Sequence, residues 1–355
     1  MVIFCKQDYS CQRYTMYQFE RCKLFQILQT RAIPDVILRL IFDMYTRQEI
    51  CTKWNSSKSH PFGTSNGVKQ GAILSPILFC VYIDELLNQI NKSGLGCHVG
   101  HLPFACIGYA DDVCLLSPSV AALQKMLYIC ESFAVECHVM FNPKKTTCIA
   151  IGSDGKLPSK NLYLNGSSIS WTNRVKHLGN VINFDLSDKE DILYKKSVFI
   201  TQVNSLNSKF ASVQSLIRGK LLQTFCCSWY GSQNWDASDK YVSQLNTEWN
   251  KAVRRTLRLP YRTHRNLLPA IIRSNSFSVQ HLQRLKKFCS TFMTSSNDHV
   301  LYIGKRAAGN TNGTLGRNMV KIASFSDITE SDNSSELDGF NIDEVNIMIE
   351  SLCCQ

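Results

Sequence analysis

The sequence predicts an α+β unit followed by an all-helical one. Three observations point there. Short apolar runs punctuated by Gly, Asn and Pro continue to about Phe184. From Asp188 to about Met293 the apolar residues recur at helical spacing, with a break at Pro260. The hydrophobic content of 44% is enough for a packed core.

Taken in order, Leu24, Phe25, Ile27 and Leu28 give residues 22–32 helical spacing. Pro34 opens a second helix, whose Val36, Ile37, Leu40, Ile41 and Tyr45 are expected to line one side. Gln48 to Trp54 reads as a strand, and Ser75-Pro76 starts a helix with Ile77, Leu78, Val81, Leu86 and Ile90 on its buried face. Two or three short strands are expected over 95–117, with Tyr109-Ala110-Asp111-Asp112 at a turn between apolar runs. A helix over 121–136 precedes strands at 139–141 and 146–151, which flank Asn142-Pro143-Lys144-Lys145. Four segments follow: 1–19, matched to nothing else; an α+β domain over 20–184; a helical region over 185–295; and 296–355. The last is rich in Gly, Asn, Ser and Asp and expected to lack structure until a short amphipathic piece near 342–352.

The net charge of +11 conceals an asymmetry. Residues 327–355 hold eight acidic side chains and no Lys or Arg, leaving 39 basic against 20 acidic residues, a net of +19, on the rest. Such a field favours a polyanionic partner. No apolar run is long enough to span a membrane, and Met1–Lys6 is too short for a secretory signal, so an intracellular protein, nuclear or cytoplasmic, is expected. The sixteen cysteines are scattered. The nearest thing to a ligand cluster, Cys97, His98, His101 and Cys106, has no zinc-module spacing and reads as reduced thiols in a strand pair.

Asp111 and Asp112 would repel one another between apolar strands unless something neutralised them. A divalent cation would do so, since Mg²⁺ takes one or two carboxylates and completes its shell with water and phosphate oxygens. Two such ions about 4 Å apart can activate a hydroxyl and stabilise a departing pyrophosphate. The plainer alternative is an Asp-rich β-turn.

The neighbouring motifs decide between them. Val68-Lys69-Gln70-Gly71 with Leu74-Ser75-Pro76 and Leu78-Phe79, then Tyr109-Ala110-Asp111-Asp112, Asn142-Pro143-Lys144-Lys145-Thr146 and Val175-Lys176-His177-Leu178-Gly179 together resemble reverse transcriptases of non-LTR (LINE-like) retrotransposons. The resemblance covers roughly residues 20–290. It implies a partial reverse-transcriptase palm, with part of the fingers, over 20–184, followed by thumb-like helices over 185–295. It implies RNA-directed DNA synthesis with two Mg²⁺ or Mn²⁺ ions, using an RNA template, a DNA primer and deoxynucleoside triphosphates. Asp111 and Asp112 would hold the metals, and Lys145 would approach the triphosphate as a catalytic group. Gln70, Gly71, Tyr109, Lys176 and Gly179 would contact nucleotide, primer or template. An RNA-templated RNA polymerase is disfavoured, because those carry Gly-Asp-Asp at the turn.

One departure is large. The family carries a further aspartate on the first palm strand, and the corresponding region here, Asp8 to Glu20, lacks it. Residues 1–19 are expected to be unrelated sequence without the apolar strand, as a truncated or frame-shifted element copy would give. The expected consequence is a chain that is not a polymerase by itself, leaving a non-catalytic nucleic-acid-binding remnant as the alternative. For the latter, Lys251, Arg254, Arg255 and Arg258 fall at i, i+3, i+4 and i+7 and are expected to form one phosphate-binding stripe, with Trp249, Val253, Thr256 and Leu257 turned to the core.

Overall fold

The computed structural model describes residues 1–6, 20–63, 72–152 and 154–332. In chain order the first elements are β1 (Val2–Lys6), α1 (Arg21–Thr30) and α2 (Asp35–Thr46). Four short strands follow, β2 (Glu49–Ile50), β3 (Lys53–Trp54), β4 (Ser57–Lys58) and β5 (Phe62–Gly63), pairing β2 with β5 and β3 with β4. Then come α3 (Ser75–Lys92), β6 (Cys97–Val99), β7 (Leu102–Phe104), β8 (Cys106–Tyr109), β9 (Asp112–Leu116), α4 (Val120–Glu136) and β10 (Thr147–Ile149). The strands end with β11 (Leu162–Leu164), β12 (Ser167–Thr172), β13 (Arg174–His177) and β14 (Asn180–Asn183).

The chain divides into two compact units, the first comprising residues 1–175 and 183–185, the second 176–182 and 186–355. Among the described residues the first unit is built on a six-stranded sheet of order β11-β12-β10-β1-β9-β8. Directly opposed residues of an antiparallel pair share a face. Ile3, Cys5, Val113, Leu115 and Cys148 are accordingly buried in one cluster with Tyr82, Leu86 and Ile90 of α3 and with Met126, Cys130 and Phe133 of α4.

The second unit is helical: α5 (Lys189–Lys209), α6 (Ser215–Leu221), α7 (Lys240–Leu257), α8 (Leu268–Ile272), α9 (Phe277–Met293), α10 (Asp298–Gly309) and α11 (Thr314–Asp332). Its core gathers Phe199, Trp229, Trp235, Trp249 and Phe277. Buried Asp191 on α5 accepts from the Trp235 indole at 2.7 Å and from the Val181 amide at 2.9 Å, so one carboxylate ties the 176–182 segment and the Trp235 loop to α5.

Several expectations are corrected. Residues 2–6 form a strand at the centre of the sheet, although no apolar strand was expected there. Residues 298–332, expected to be unstructured, form two helices; buried Asn318 on α11 donates to the Trp235 carbonyl at 2.9 Å and accepts from the Ala237 amide at the same distance. The expected amphipathic piece at 342–352 lies outside the described residues. The apolar side of α2 is only partly buried. Ile41 and Tyr45 pack inward and Phe42 meets Phe25 of α1 at 5.1 Å between ring centroids, while Val36, Ile37, Leu40 and Met44 are exposed. Residues 139–141 form no strand beyond a single bridge at Phe141, although Val139 and Phe141 are both buried at the entry to the Asn142 loop. Among the described residues no helix is long and apolar enough to cross a membrane.

Candidate functional site

β8 and β9 form a hairpin in which Tyr109 opposes Asp112 and only Ala110 and Asp111 make the loop. Ala110 has φ of 51°, and Asp111 is not among the positive-φ residues. A positive φ in a two-residue hairpin loop is ordinarily taken by glycine, asparagine or aspartate. A left-handed alanine costs on the order of 1 kcal/mol or more and persists only where the surrounding structure enforces it. Here the ladder on both sides enforces it, and Asp111 stands at the tip.

Alternation then assigns the faces. Val113 and Leu115 go to the helix-covered side, so Asp112 and Cys114 project from the opposite one, with Tyr109 beside Asp112. Tyr109 is exposed, and the two aspartates are half-buried. β1 runs antiparallel to both β9 and β10, so the start of β9 and the start of β10 lie at the same end of the sheet. At that end Asn142, itself buried, accepts from the Lys144 amide at 2.8 Å through its side chain and from the Thr146 amide at 3.0 Å through its carbonyl. This closes a tight turn with Lys144 and Lys145 exposed two residues before β10. The structure therefore brings Asp111, Asp112, Tyr109 and Lys145 to one end of one sheet.

The residue directly across from Asp112 on β1 is Lys6, a position the sequence reading left without a role. The signal that could have found this strand was the run Val2-Ile3-Phe4-Cys5, β-branched, aromatic and apolar, which was weighed only as a secretory signal. Gln70 and Gly71 lie outside the described residues, as does Asp8.

Lys176 and Gly179 belong to the second unit. Leu178 and Gly179, both at positive φ, form the loop between β13 and β14. Lys176 lies 2.8 Å from the Tyr194 hydroxyl, which holds that phenol below its ordinary value. Lys195 reaches the carbonyls of Gly179 and Tyr230, both at 2.9 Å. Sequence reasoning missed Asp191 and Lys195, which fix this loop.

The basic stripe is corrected in part. Lys251 and Arg255 are exposed on α7 and Arg254 is half-buried, while Trp249, Val253, Thr256 and Leu257 are buried as expected. Arg258, however, is not helical but the left-handed cap of α7, with φ of 56°. Three guanidiniums are engaged within the protein: Arg254 donates to the Thr263 carbonyl at 3.0 Å, Arg255 to Asn204 at 2.6 Å and Arg258 to the Ala211 carbonyl at 2.6 Å. The last two tie α7 to α5 and to its C-terminal exit, so the four residues are not one free stripe.

Residues 18–182 match the sequence profile of the reverse transcriptases, the RNA-dependent DNA polymerases. This segment belongs to the reverse-transcriptase family. Its relatives are polymerases of non-LTR retrotransposons. The chain is 26% identical over 167 residues to the RNA-directed DNA polymerase from mobile element jockey of Drosophila funebris, covering 45% of this chain and 18% of that one. It is 26% identical over 226 residues to the Pol polyprotein of the type-1 retrotransposable element R2 of Popillia japonica, covering 61% and 31%. With the R2DM polyprotein of Drosophila melanogaster it shares 32% identity over 171 residues, covering 45% and 16%. The chain thus spans less than a third of the length of each of these reverse transcriptases, and β1 lies ahead of the matched segment.

Proposed function

We propose that the first unit is the palm of a retrotransposon RNA-directed DNA polymerase, followed by thumb-like helices, and that this chain alone does not polymerise. The observation that carries the reading is the common end of the sheet shared by Asp111, Asp112 and Lys145, with Lys6 directly opposite Asp112. Two adjacent carboxylates on a rigid hairpin suit one Mg²⁺ or Mn²⁺, with water and phosphate oxygens completing the shell. They fit a pair of ions less well: β1 offers Val2, Ile3, Phe4, Cys5 and Lys6, none of them a carboxylate, and among the described residues no group of three His, Cys, Asp or Glu could hold a metal.

In the full reaction the metals would lower the charge barrier to attack of a primer hydroxyl on a deoxynucleoside triphosphate. The chain's own contribution is positional. Asp111 and Asp112 would fix the ions, Tyr109 would adjoin the primer end, and Lys145 would face the triphosphate and supply a proton to the leaving pyrophosphate. Gln70, Gly71, Lys176 and Gly179 would line the nucleotide, template and primer. Losing one metal-bridging carboxylate costs several kcal/mol of transition-state stabilisation, on the order of a thousandfold in rate.

The second reading, a nucleic-acid-binding protein without turnover, is favoured by that same lysine position and by the net +19 outside residues 327–355. Primer extension on an RNA template with Mg²⁺ or Mn²⁺ separates the two. We expect binding without extension; extension abolished by Asp111→Asn would establish an active polymerase and end the claim of inactivity.

A further inference from the structure

Beyond the palm, the second unit carries a groove of about 410 Å³ where the end of α7 meets the loop after it. Its functional lining is Lys251, Arg254, Tyr261, Arg262, His264 and Arg265, and no carboxylate lines it. The nearest acid on α7, Glu248, is already engaged by Lys251 at 3.0 Å and Lys196 at 3.9 Å. The loop is held in shape: Arg254 donates to the Thr263 carbonyl at 3.0 Å, and the Thr263 amide and hydroxyl both donate to the Pro260 carbonyl, at 3.0 and 2.8 Å.

Arg262 and Arg265 stand apart from their neighbours on α7. Arg255 and Arg258 are held by Asn204 and the Ala211 carbonyl, whereas Arg262 and Arg265 make no side-chain hydrogen bond or ion pair among the described residues. Between them and the helix, Tyr261 is 89% exposed and likewise makes no such contact. A ring left in water beside unpaired guanidiniums stabilises nothing in the fold. It does match one class of ligand. Aromatic faces take unstacked bases while flanking cations take the phosphates, an arrangement open to single strands and closed to a duplex, whose bases already stack on each other.

We propose that this groove binds single-stranded nucleic acid, with a base stacked on Tyr261 and the backbone phosphates on Lys251, Arg262 and Arg265. The site needs no metal and stands independently of the polymerase reading. Anisotropy titrations of the full chain with a short labelled single strand and a matched duplex, at low salt and in chelator, test it. Tyr261→Ala is expected to weaken single-strand binding about tenfold, Tyr261→Phe to leave it unchanged, and neither to alter duplex binding. Arg262→Glu with Arg265→Glu is expected to weaken both ligands and flatten the salt dependence, by roughly 0.7 in slope per lost phosphate contact on the single strand. These side chains are exposed, so the variants are expected to melt with the parent, which thermal unfolding checks. Unchanged single-strand affinity in Tyr261→Ala, or an equal loss for duplex, overturns the proposal. Because chelator is present throughout, failure here leaves the palm reading standing, and an extension result leaves the groove untouched.

Discussion

Asp112 and Lys6 are opposed residues of the β1–β9 ladder, so a lysine occupies the register position nearest the carboxylate pair on the central strand. Directly opposed positions have Cβ atoms roughly 5 Å apart. Exchanging a positive for a negative side chain there alters the local field by two charges. Lys6→Asp is expected to tighten Mn²⁺ binding about tenfold or more over the parent chain, and Lys6→Gln by less. Asp111→Asn should abolish the gain. Titration followed by the electron paramagnetic resonance of free Mn²⁺ reads this, and equal affinities in all four proteins would remove the metal assignment.

The indole of Trp235 donates to buried Asp191 at 2.7 Å, and Trp235→Phe keeps most of the ring while deleting that donor. A buried carboxylate losing a charge-assisted bond costs about 1–3 kcal/mol. A lower midpoint in thermal or urea unfolding is expected. No change would mean that Asp191 is satisfied elsewhere.

Thiol reactivity should divide along the sheet. Burial pushes Cys106, Cys114, Cys148 and Cys227 up to about 12, whereas Cys22, Cys51 and Cys80 are exposed. Only a thiolate alkylates at a useful rate. Iodoacetamide at mildly alkaline pH, followed by peptide mapping, is expected to modify Cys22, Cys51 and Cys80 and to spare the other four until denaturant is added. Early labelling of Cys114 or Cys148 would show that the central sheet opens.

How much of this was legible in the sequence follows from what each signal depends on. The Asp111–Asp112 hairpin was readable because two apolar runs bracket a polar pair, and the Ser75-Pro76 start of α3 because proline fits only the first helical turn. β1 was not, since five residues carry no periodicity to distinguish a central strand from a leader; only pairing with β9 and β10 on both sides defines it. The stripe at 251–258 was half right. Spacing places residues on a face, but the partners that engage Arg255 and Arg258 come from around residues 204 and 211, which no local pattern reveals. The helices at 298–332 were hidden because Gly, Asn, Ser and Asp interrupt and follow them, and Asn318, a residue common in loops, is what docks α11 to the 235–237 loop.

The second unit holds two titrating groups that oppose one another. His281 is buried and stacked on Phe277, and its Nε2 lies 2.8 Å from the Ser232 carbonyl. Burial, reinforced by Lys321 and Arg284 against Asp236, lowers it to about 4. Asp188, at the head of α5, is raised to about 6 by burial, helped by Asp239, Asp236 and Asp191 against a bond from the Asp236 amide. For the histidine the unfolded chain binds more protons between its ordinary value and about 4, so its contribution is full at neutral pH and lost as pH falls through that window. For the aspartate the folded chain binds more protons between its ordinary value and about 6, so stability is gained as pH falls through that window. Each effect is worth at most about 3 kcal/mol, and over the shared range they have opposite signs. Stability of the second unit is therefore expected to vary little from pH 6 to pH 4 on their account. Asp188→Asn, whose amide oxygen can still accept from Asp236, should expose a loss of about 2–3 kcal/mol on acidification. His281→Gln should expose a gain of similar size. Urea unfolding at several pH values measures both slopes, and parallel curves for the parent and the two variants would refute the assignment of either group.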